Sequence, residues 1–301
     1  MVSLTGMVLE RDGAAYRVLA GGVEVRAVLR GKVKRDDPKV VVGDVVTLEP
    51  EAGGELFGIA AVAERRNLLE RRIPLGRGTR PVAANLDRVF VVTASRDPAP
   101  VPSIIDRLLV LAEANDLPAA VVINKVDLDP GTSLAQRYRN AGYEVWPLSV
   151  RTGIGLDGLR AWLPNHSCVF TGPSGAGKSS LMNALQPGLA LRTGAISERG
   201  RRGKQTTVAA RMVPLDGGGW LVDTPGFSEV GLWGLEPRGL AQCFPEMRGL
   251  LGQCKYQDCR HVSEPGCAMQ AAADAGKIHP ERLASYRLLL AETEAEPKDW
   301  E

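Results

Sequence analysis

The segment that most constrains the fold of this chain is Gly172-Pro-Ser-Gly-Ala-Gly-Lys-Ser179. An apolar run at 168–171 has the character of a buried strand, and residues 180–185 continue as a helical pattern. Glycines at these spacings let backbone N–H groups turn toward phosphate oxygens, and the following helix adds the positive end of its dipole. The segment therefore predicts a P-loop within an α/β fold, between a strand and a helix.

Two side chains of this loop have specific expected roles. Lys178 is expected to bridge the β- and γ-phosphates of a nucleotide, and the Ser179 hydroxyl is expected to ligate Mg²⁺. A chance Gly/Ser loop with a lysine is the alternative, which the complete pattern in its strand–helix context disfavours. The residues expected to bind nucleotide here are Gly172, Pro173, Ser174, Gly175, Ala176, Gly177, Lys178, Ser179 and Ser180.

A second motif, Asn124-Lys-Val-Asp127, selects the base and follows an apolar run at 119–123. A carboxylate at Asp127 can accept hydrogen bonds from guanine N1–H and the N2 amine, whereas adenine offers no donor at either place. Asn124 is expected to tie this loop to the P-loop, and the stem of Lys125 to lie along the base. With Val126 between them, these residues predict GTP and GDP as ligands and disfavour an ATP-dependent enzyme.

The third base-binding element is the loop after the apolar run at 145–148. Ser149 and Val150 begin this loop, and their position suits a backbone N–H that meets guanine O6. Both residues are therefore predicted to bind GTP.

The remaining catalytic elements follow the P-loop. Asp223 ends a short strand and begins Asp223-Thr-Pro-Gly226, so its carboxylate is expected to reach Mg²⁺ and the Gly226 N–H to meet the γ-phosphate. A switch threonine that closes on Mg²⁺ is expected at Thr207, with Thr206 as the near alternative. The predicted magnesium ligands are thus Ser179, Thr207 and Asp223.

The order of these motifs is unusual. Ordinary GTPases carry the P-loop first and the base-reading loops last, whereas here the loops at 124–127 and 149–153 precede the P-loop. A sheet depends on which strands are adjacent in space, so the same sheet can form from a circularly permuted chain. The order therefore predicts a circularly permuted P-loop GTPase domain.

A cysteine-rich stretch follows the GTPase motifs. Its candidate metal ligands are Cys254, Cys259, His261 and Cys267, with four, one and five residues between successive members. Three thiolates and one imidazole make a closed tetrahedral zinc site of the structural kind, so one structural zinc per chain is expected; unliganded cysteines are the weaker alternative. Cys168 and Cys243 have no such neighbours and are interpreted as ordinary buried or partly buried thiols.

The N-terminal region has a different pattern. Residues 1–65 are predicted to form short strands with Gly-rich turns, which indicates a small β-barrel. An oligonucleotide-binding (OB) barrel fits the length, and an SH3-like barrel of similar size stays open. Three domains are therefore expected: an OB-like barrel at 1–70, a permuted α/β GTPase at 71–232, and a zinc-binding helical domain at 233–301.

Charge and composition suggest the setting. The chain has 301 residues with 44% hydrophobic and 24% charged residues, no apolar run of membrane-spanning length and no secretory signal, so a cytoplasmic protein without a membrane partner is expected. It is expected to be a monomer. Basic runs at 26–39, 65–80 and 199–204 raise the odds of a polyanionic partner, although such runs are more often solvated surface.

The permuted order, the two tetrapeptides, the barrel and the Cys/Cys/His/Cys spacing together resemble the ribosome small subunit-dependent GTPase family of bacteria. The resemblance covers nearly the whole chain. It implies a GTPase that acts late in small-subunit assembly, binds the subunit in its GTP form, is stimulated there and leaves after hydrolysis. It also implies that the barrel and the zinc domain contact ribosomal RNA. The alternative is a GTP-gated switch that binds a non-ribosomal protein through its zinc domain.

One position departs from that family. Its members commonly carry His before the two switch threonines, where this chain has Gln205. Phe227, which the family shares, occupies the place of a water-orienting glutamine in Ras-like enzymes and cannot hydrogen-bond the attacking water. Gln205 is therefore a candidate catalytic residue that orients the water, and contact with RNA or solvent is its alternative role.

Overall fold

The computed structural model describes residues 3–30, 39–51, 56–72, 79–186, 210–223 and 236–295, with the backbone alone for Arg71, Arg72 and Asp223. The expected switch residues Gln205, Thr206, Thr207, Gly226 and Phe227 lie outside these ranges, as does the basic run at 199–204.

The described strands are β1 (Leu4–Asp12), β2 (Ala15–Ala20), β3 (Val23–Leu29), β4 (Val45–Pro50), β5 (Phe57–Val62), β6 (Leu68–Arg72), β7 (Thr79–Ala84), β8 (Arg88–Ala94), β9 (Ala119–Asn124), β10 (Glu144–Pro147), β11 (Ser167–Thr171), β12 (Arg211–Pro214) and β13 (Trp220–Asp223). The described α-helices are α1 (Pro102–Glu113), α2 (Thr132–Asn140), α3 (Leu156–Trp162), α4 (Lys178–Leu185), α5 (Pro245–Arg248), α6 (Ala268–Asp274) and α7 (Pro280–Ala295), with a 3₁₀ helix at Pro237–Cys243.

These elements form two compact units. Of the described residues, the first unit holds those up to Arg88, Leu163–Val169 and 210–223, and the second unit holds the others. The domain boundaries expected at 70/71 and 232/233 stay predictions.

Five strands of the first unit close into a barrel. Their order is β1-β2-β3-β5-β4, with β4 also paired to β1, and β3 and β5 run parallel. Alternate residues point inward, so that Val8, Val18, Leu48 and Ile59 form a core that excludes water. This five-stranded closure is the OB arrangement, and it decides between the two barrels that the sequence left open.

The rest of the first unit includes the beginning of the strand that leads to the P-loop. β11 pairs in parallel with β13, and β12 is antiparallel to β13. Asp87 accepts hydrogen bonds from the Ser167 backbone N–H (2.7 Å), the Ser167 Oγ (2.9 Å) and Arg66 Nη1 (2.8 Å). This carboxylate therefore anchors the first residue of β11.

Two arginines of the basic run at 65–80 have bonding partners within the protein. Arg65 donates to both oxygens of the fully buried Asp44 carboxylate, at 2.7 and 2.8 Å. A second arginine, Arg66, is mostly exposed and pairs with Asp87. The basic run at 65–80 is thus not wholly free surface.

The second unit contains a parallel sheet. β8 pairs with β9 and β9 with β10, all parallel, and both β8 and β9 are buried over nearly their whole length. Such continuous apolar runs are typical of strands covered on both faces. The Phe170 ring stacks on Phe90 with centroids 5.1 Å apart, which places the end of β11 beside β8. The predicted base-binding loops and the P-loop therefore begin at the same edge of the sheet, where the strands have their carboxyl ends.

Helices complete the second unit. The longest of them, α7, buries Leu283, Tyr286, Leu289 and Leu290. Cys168, in β11 of the first unit, and Cys243, in the second unit, are free and buried, and burial raises the pKa of both thiols. Among the helices described, none combines the length and apolar character needed to cross a membrane.

Candidate nucleotide site and metal cluster

The predicted P-loop has the expected strand–loop–helix context: it follows β11, and α4 begins at Lys178. Gly172 has φ +143°, and a Cβ there would lie 2.0 Å from the Val92 carbonyl oxygen, so no larger residue fits. The Lys178 Nζ donates to the carbonyl oxygens of Gly172 (2.6 Å) and Pro173 (2.9 Å). Burial lowers the pKa of Lys178, and its ammonium is held within the loop.

Asn124 joins three loops at this edge of the sheet. Its Nδ2 donates to the Ala176 carbonyl of the P-loop (3.0 Å), the tie that the sequence predicted. Its Oδ1 accepts from the backbone N–H of Lys125 (2.8 Å) and of Val150 (3.2 Å). Gly177 closes over it, since a Cβ there would lie 2.3 Å from Nδ2. One buried amide therefore sets the relative position of the P-loop and both base-binding loops.

Lys125 makes a second connection. Its Nζ donates to the carbonyl oxygens of Gly175 (3.0 Å) and Asp97, and its own carbonyl accepts from Ser95 Oγ (2.8 Å). The loop after β8 was not predicted to belong to the site. Its position directly after a buried parallel strand was the signal that could have found it.

Asp127 presents a charged acceptor. Ser149 Oγ donates to its Oδ1 at 2.5 Å, and Arg151 Nη2 lies 2.5 Å from its Oδ2. The Ser149 hydrogen bond is the main reason that the pKa of Asp127 is lowered, and Arg151 contributes. The carboxylate is thereby kept in the form that accepts hydrogen bonds. Sequence reasoning missed Arg151, whose position in the loop after Ser149 was the available signal.

The predicted magnesium ligands are described only in part. Ser179 lies in the first turn of α4, and the backbone of Asp223 ends β13 opposite Arg211. Thr207 lies outside the described residues, as do Gln205 and Gly226. The roles of these residues stay predictions.

The four predicted zinc ligands come together. Their ligand atoms all lie within 4.8 Å of one another, and we call Cys254, Cys259, His261 and Cys267 the Cys/His cluster. His261 Nδ1 is 3.4 Å from Cys254 Sγ and 3.5 Å from the other two sulfurs. Three sulfurs around one imidazole nitrogen is the donor set of structural zinc, so the cluster can hold one ion.

Backbone contacts support the cluster. The Glu264 carboxylate accepts from the N–H groups of Arg260 (3.0 Å), Val262 (2.9 Å) and Ser263 (3.1 Å). Burial opposes this ionisation, but the backbone hydrogen bonds outweigh it and lower the pKa of Glu264 to about 2. The loop around His261, whose φ is +62°, is therefore organised by residues that the Cys/His spacing did not reveal.

The P-loop, the Asn124-Lys-Val-Asp127 loop bonded to it and the permuted order of these motifs define a circularly permuted P-loop GTPase. The chain belongs to the RsgA GTPase family, whose model matches residues 62–233.

Similar proteins span the whole chain. The small ribosomal subunit biogenesis GTPase RsgA of Gemmatimonas aurantiaca is 46% identical over 293 residues, covering 94% of this chain and 95% of that protein. The protein of the same name from Moorella thermoacetica is 40% identical, covering 99% and 100%. Among solved structures, YjeQ from Thermotoga maritima has a TM-score of 0.81 and 32% identity, covering 98% and 100%. YloQ, described as a circularly permuted GTPase, has a TM-score of 0.78 and 27% identity, covering 99% and 97%.

Proposed function

We propose that this chain binds GTP with Mg²⁺ and hydrolyses it to GDP and phosphate while bound to the small ribosomal subunit, during late assembly of that subunit in the cytoplasm. The observation that carries the nucleotide part is the junction at Asn124. Asn124 Nδ2 donates to the Ala176 carbonyl of the P-loop at 3.0 Å, and the same motif carries Asp127, whose carboxylate would accept hydrogen bonds from guanine. Phosphate binding and base recognition are thereby combined in one rigid site.

Within this site the residues divide the work. Lys178 neutralises charge on the β- and γ-phosphates, and the backbone N–H groups of 174–180 surround the phosphates. Ser179 with Thr207 and Asp223 would hold Mg²⁺, which supplies further charge neutralisation at the transferred phosphate when it is bound. The Gly226 N–H would contact the γ-phosphate. Zn²⁺ in the Cys/His cluster would be structural, since all four positions of a tetrahedral ion are taken by protein atoms.

The subunit as partner is supported by the relatives, which are named as small ribosomal subunit biogenesis GTPases. The chain acts as a monomer, and its OB barrel and zinc region contact ribosomal RNA through basic surface. Arg201 and Arg202 are the strongest candidates for phosphate contacts, because their run at 199–204 contains no acid. The second candidate function is a GTP-gated switch for a non-ribosomal protein, docked through the zinc region.

Sedimentation with isolated small and large subunits tests the proposal. With a non-hydrolysable GTP analogue, the chain should travel with the small subunit alone. Arg201→Ala with Arg202→Ala should lower that affinity and flatten its salt dependence, by roughly one unit of slope for each phosphate group that the variant no longer neutralises. A shallow salt dependence in the wild-type protein, or no sedimentation with the small subunit, would favour the protein-partner alternative.

Gln205 is the proposed residue that orients the attacking water. It is the polar residue of the switch nearest the threonines that can both donate and accept, and Phe227 leaves the usual water-orienting position without a hydrogen-bonding group. Gln205→Ala should remove most of the subunit-stimulated hydrolysis while GTP affinity and subunit binding persist. Full stimulation in that variant would assign the water to a group donated by the ribosome, and Gln205 to RNA or solvent contact.

A further inference from the structure

A buried charged group in the second unit has no part in the nucleotide chemistry above. The Arg282 guanidinium, 1% exposed, donates to Asp106 Oδ1 through Nη1 (2.7 Å) and to both oxygens of Glu246, through Nε (2.6 Å) and Nη2 (3.0 Å). Asp106 is fully buried and also accepts from the Tyr138 hydroxyl at 2.9 Å. We call Arg282, Asp106, Glu246 and Tyr138 the Arg282 cluster.

The geometry of this cluster is restrictive. A planar guanidinium with three directed hydrogen bonds accepts only one orientation of its two carboxylates. The Phe244 ring lies beneath it, 4.6 Å from the guanidinium carbon, and limits its position further. Burial and the Asp106 charge raise the pKa of Tyr138, so its hydroxyl stays protonated and donates. A small displacement of Arg282, Asp106 or Glu246 would leave a buried charge without its partner.

Each member belongs to a different helix. Arg282 lies in the first turn of α7, Asp106 in α1, Tyr138 in α2 and Glu246 in the short α5. The cluster therefore fixes the C-terminal helix against the two helices that flank β9, the strand that ends in Asn124. Its longest link joins residues 176 positions apart.

Both flanking helices continue directly from loops of the nucleotide site. α1 follows the loop in which Ser95 and Asp97 bond Lys125. α2 begins at Thr132, after the loop that holds Asp127. The position of each loop therefore depends on the helix that follows it.

Farther along α7, a second set of contacts reaches the Cys/His cluster. The Tyr286 hydroxyl donates to the Arg260 carbonyl (3.1 Å), and Arg287 Nε donates to the His261 carbonyl (3.0 Å). One helix thus contacts the metal-binding loop with its middle and the nucleotide-proximal helices with its first turn.

We infer that Arg282 is a positioning residue for the guanine-nucleotide site, which holds α1 and α2 in the arrangement that places the loops at 95–101 and 124–131. It acts through Asp106 and Tyr138 and touches no nucleotide. The inference rests on the proposed binding of guanine nucleotide. Arg282 also connects the C-terminal helix to that site through packed and hydrogen-bonded side chains.

The test measures dissociation of a fluorescent GDP analogue from the full-length chain, together with amide hydrogen exchange in the two loops. Arg282→Met should accelerate dissociation and exchange in 95–101 and 124–131. Tyr138→Phe, which removes only one hydroxyl, should do so more weakly. We expect effects between about twofold and thirtyfold, the range found along coupled networks. If Arg282→Met does not fold, Tyr138→Phe decides the question alone.

Glu292→Gln is the matched control. Glu292 pairs with Arg107 and also links α7 to α1, but this pair is partly exposed to solvent, which weakens ion pairs. Its dissociation rate should match that of the wild-type protein. Folded Arg282→Met and Tyr138→Phe variants with wild-type dissociation and exchange would overturn the inference, and so would an equal effect of Glu292→Gln. Failure of the wild-type chain to bind the GDP analogue would instead overturn the proposed function on which the inference rests.

Discussion

Replacing Asn124 tests whether one buried amide holds the nucleotide site together. The side chain is 3% exposed and makes three hydrogen bonds, one to the Ala176 carbonyl and two from the backbone N–H groups of Lys125 and Val150. Asn124→Ala removes all three and leaves those backbone groups without their partner. At about 1 kcal/mol for each bond, the loss is about 3 kcal/mol.

Because two of these bonds join Asn124 to the P-loop and to the loop at 149–153, most of this free energy should appear in nucleotide affinity. A loss of about 3 kcal/mol corresponds to roughly a hundredfold rise in Kd. Asn124→Asp separates the contributions. Its carboxylate still accepts from Lys125 and Val150, but it places an acceptor opposite the Ala176 carbonyl, so affinity should fall here as well.

Isothermal titration with GDP and a thermal melt of each variant provide the measurements. Asn140, an exposed residue on α2, is the control position, and Asn140→Ala should behave as the wild-type protein. A Kd for Asn124→Ala within threefold of the wild-type value would refute the view that Asn124 organises the site. Unchanged affinity of Asn124→Asp alone would show that the Ala176 hydrogen bond is dispensable.

Three further predictions follow from other parts of the molecule. Asp127→Asn should weaken GTP binding about a hundredfold and allow xanthosine triphosphate to bind, because the C2 oxygen of xanthine can accept a hydrogen bond from the new amide. Competition binding with both nucleotides measures this, and unchanged GTP affinity would contradict it. Metal analysis should find one zinc per chain. The Cys259→Ser variant should lose this zinc and melt about 10 °C lower than the wild-type protein. Zinc-free wild-type protein of full stability would contradict the structural role. Burial alone would raise the pKa of Asp87, but hydrogen bonds from Ser167 and Arg66 lower it below the ordinary value of 3.8. The Asp87 carboxylate therefore stabilises the fold above pH 3.8, and this contribution is lost as the pH falls through the lowered pKa. Melts across pH should therefore show Asp87→Asn destabilised at neutral pH and the difference from wild type shrinking in acid, and a constant difference would exclude this ionisation.

The local motifs of this chain could be interpreted without a structure. P-loop chemistry needs glycines and a lysine at fixed separations, and a tetrahedral ion needs four ligands within a short loop, so both appear as patterns of neighbouring residues. The circular permutation was equally visible, because it is a property of motif order. For these features the sequence predicted the class of protein and the Cys/His cluster.

Other features depend on residues that are distant along the chain. An OB barrel and an SH3-like barrel can have strands of similar length and sequence, and they differ in which strands pair with each other. The parallel pairing of β3 with β5 identified the barrel as the OB type. Ser95 and Asp97 lie at the nucleotide site because β8 is paired with β9. No motif in the sequence around Ser95 and Asp97 predicts this pairing.

The Arg282 cluster most clearly separates what the sequence predicts from what only the tertiary structure shows. From the sequence, Arg282 is one of several charged residues in a helix that begins at Pro280, and the helical period predicts only which apolar residues face inward. The carboxylates that make its burial tolerable lie on other helices, with Asp106 176 positions away. Local spacing determined the chemistry that this protein can perform. Only the tertiary structure decided how the loops are held for it, because burial of a charge depends on partners that packing brings together from distant parts of the chain.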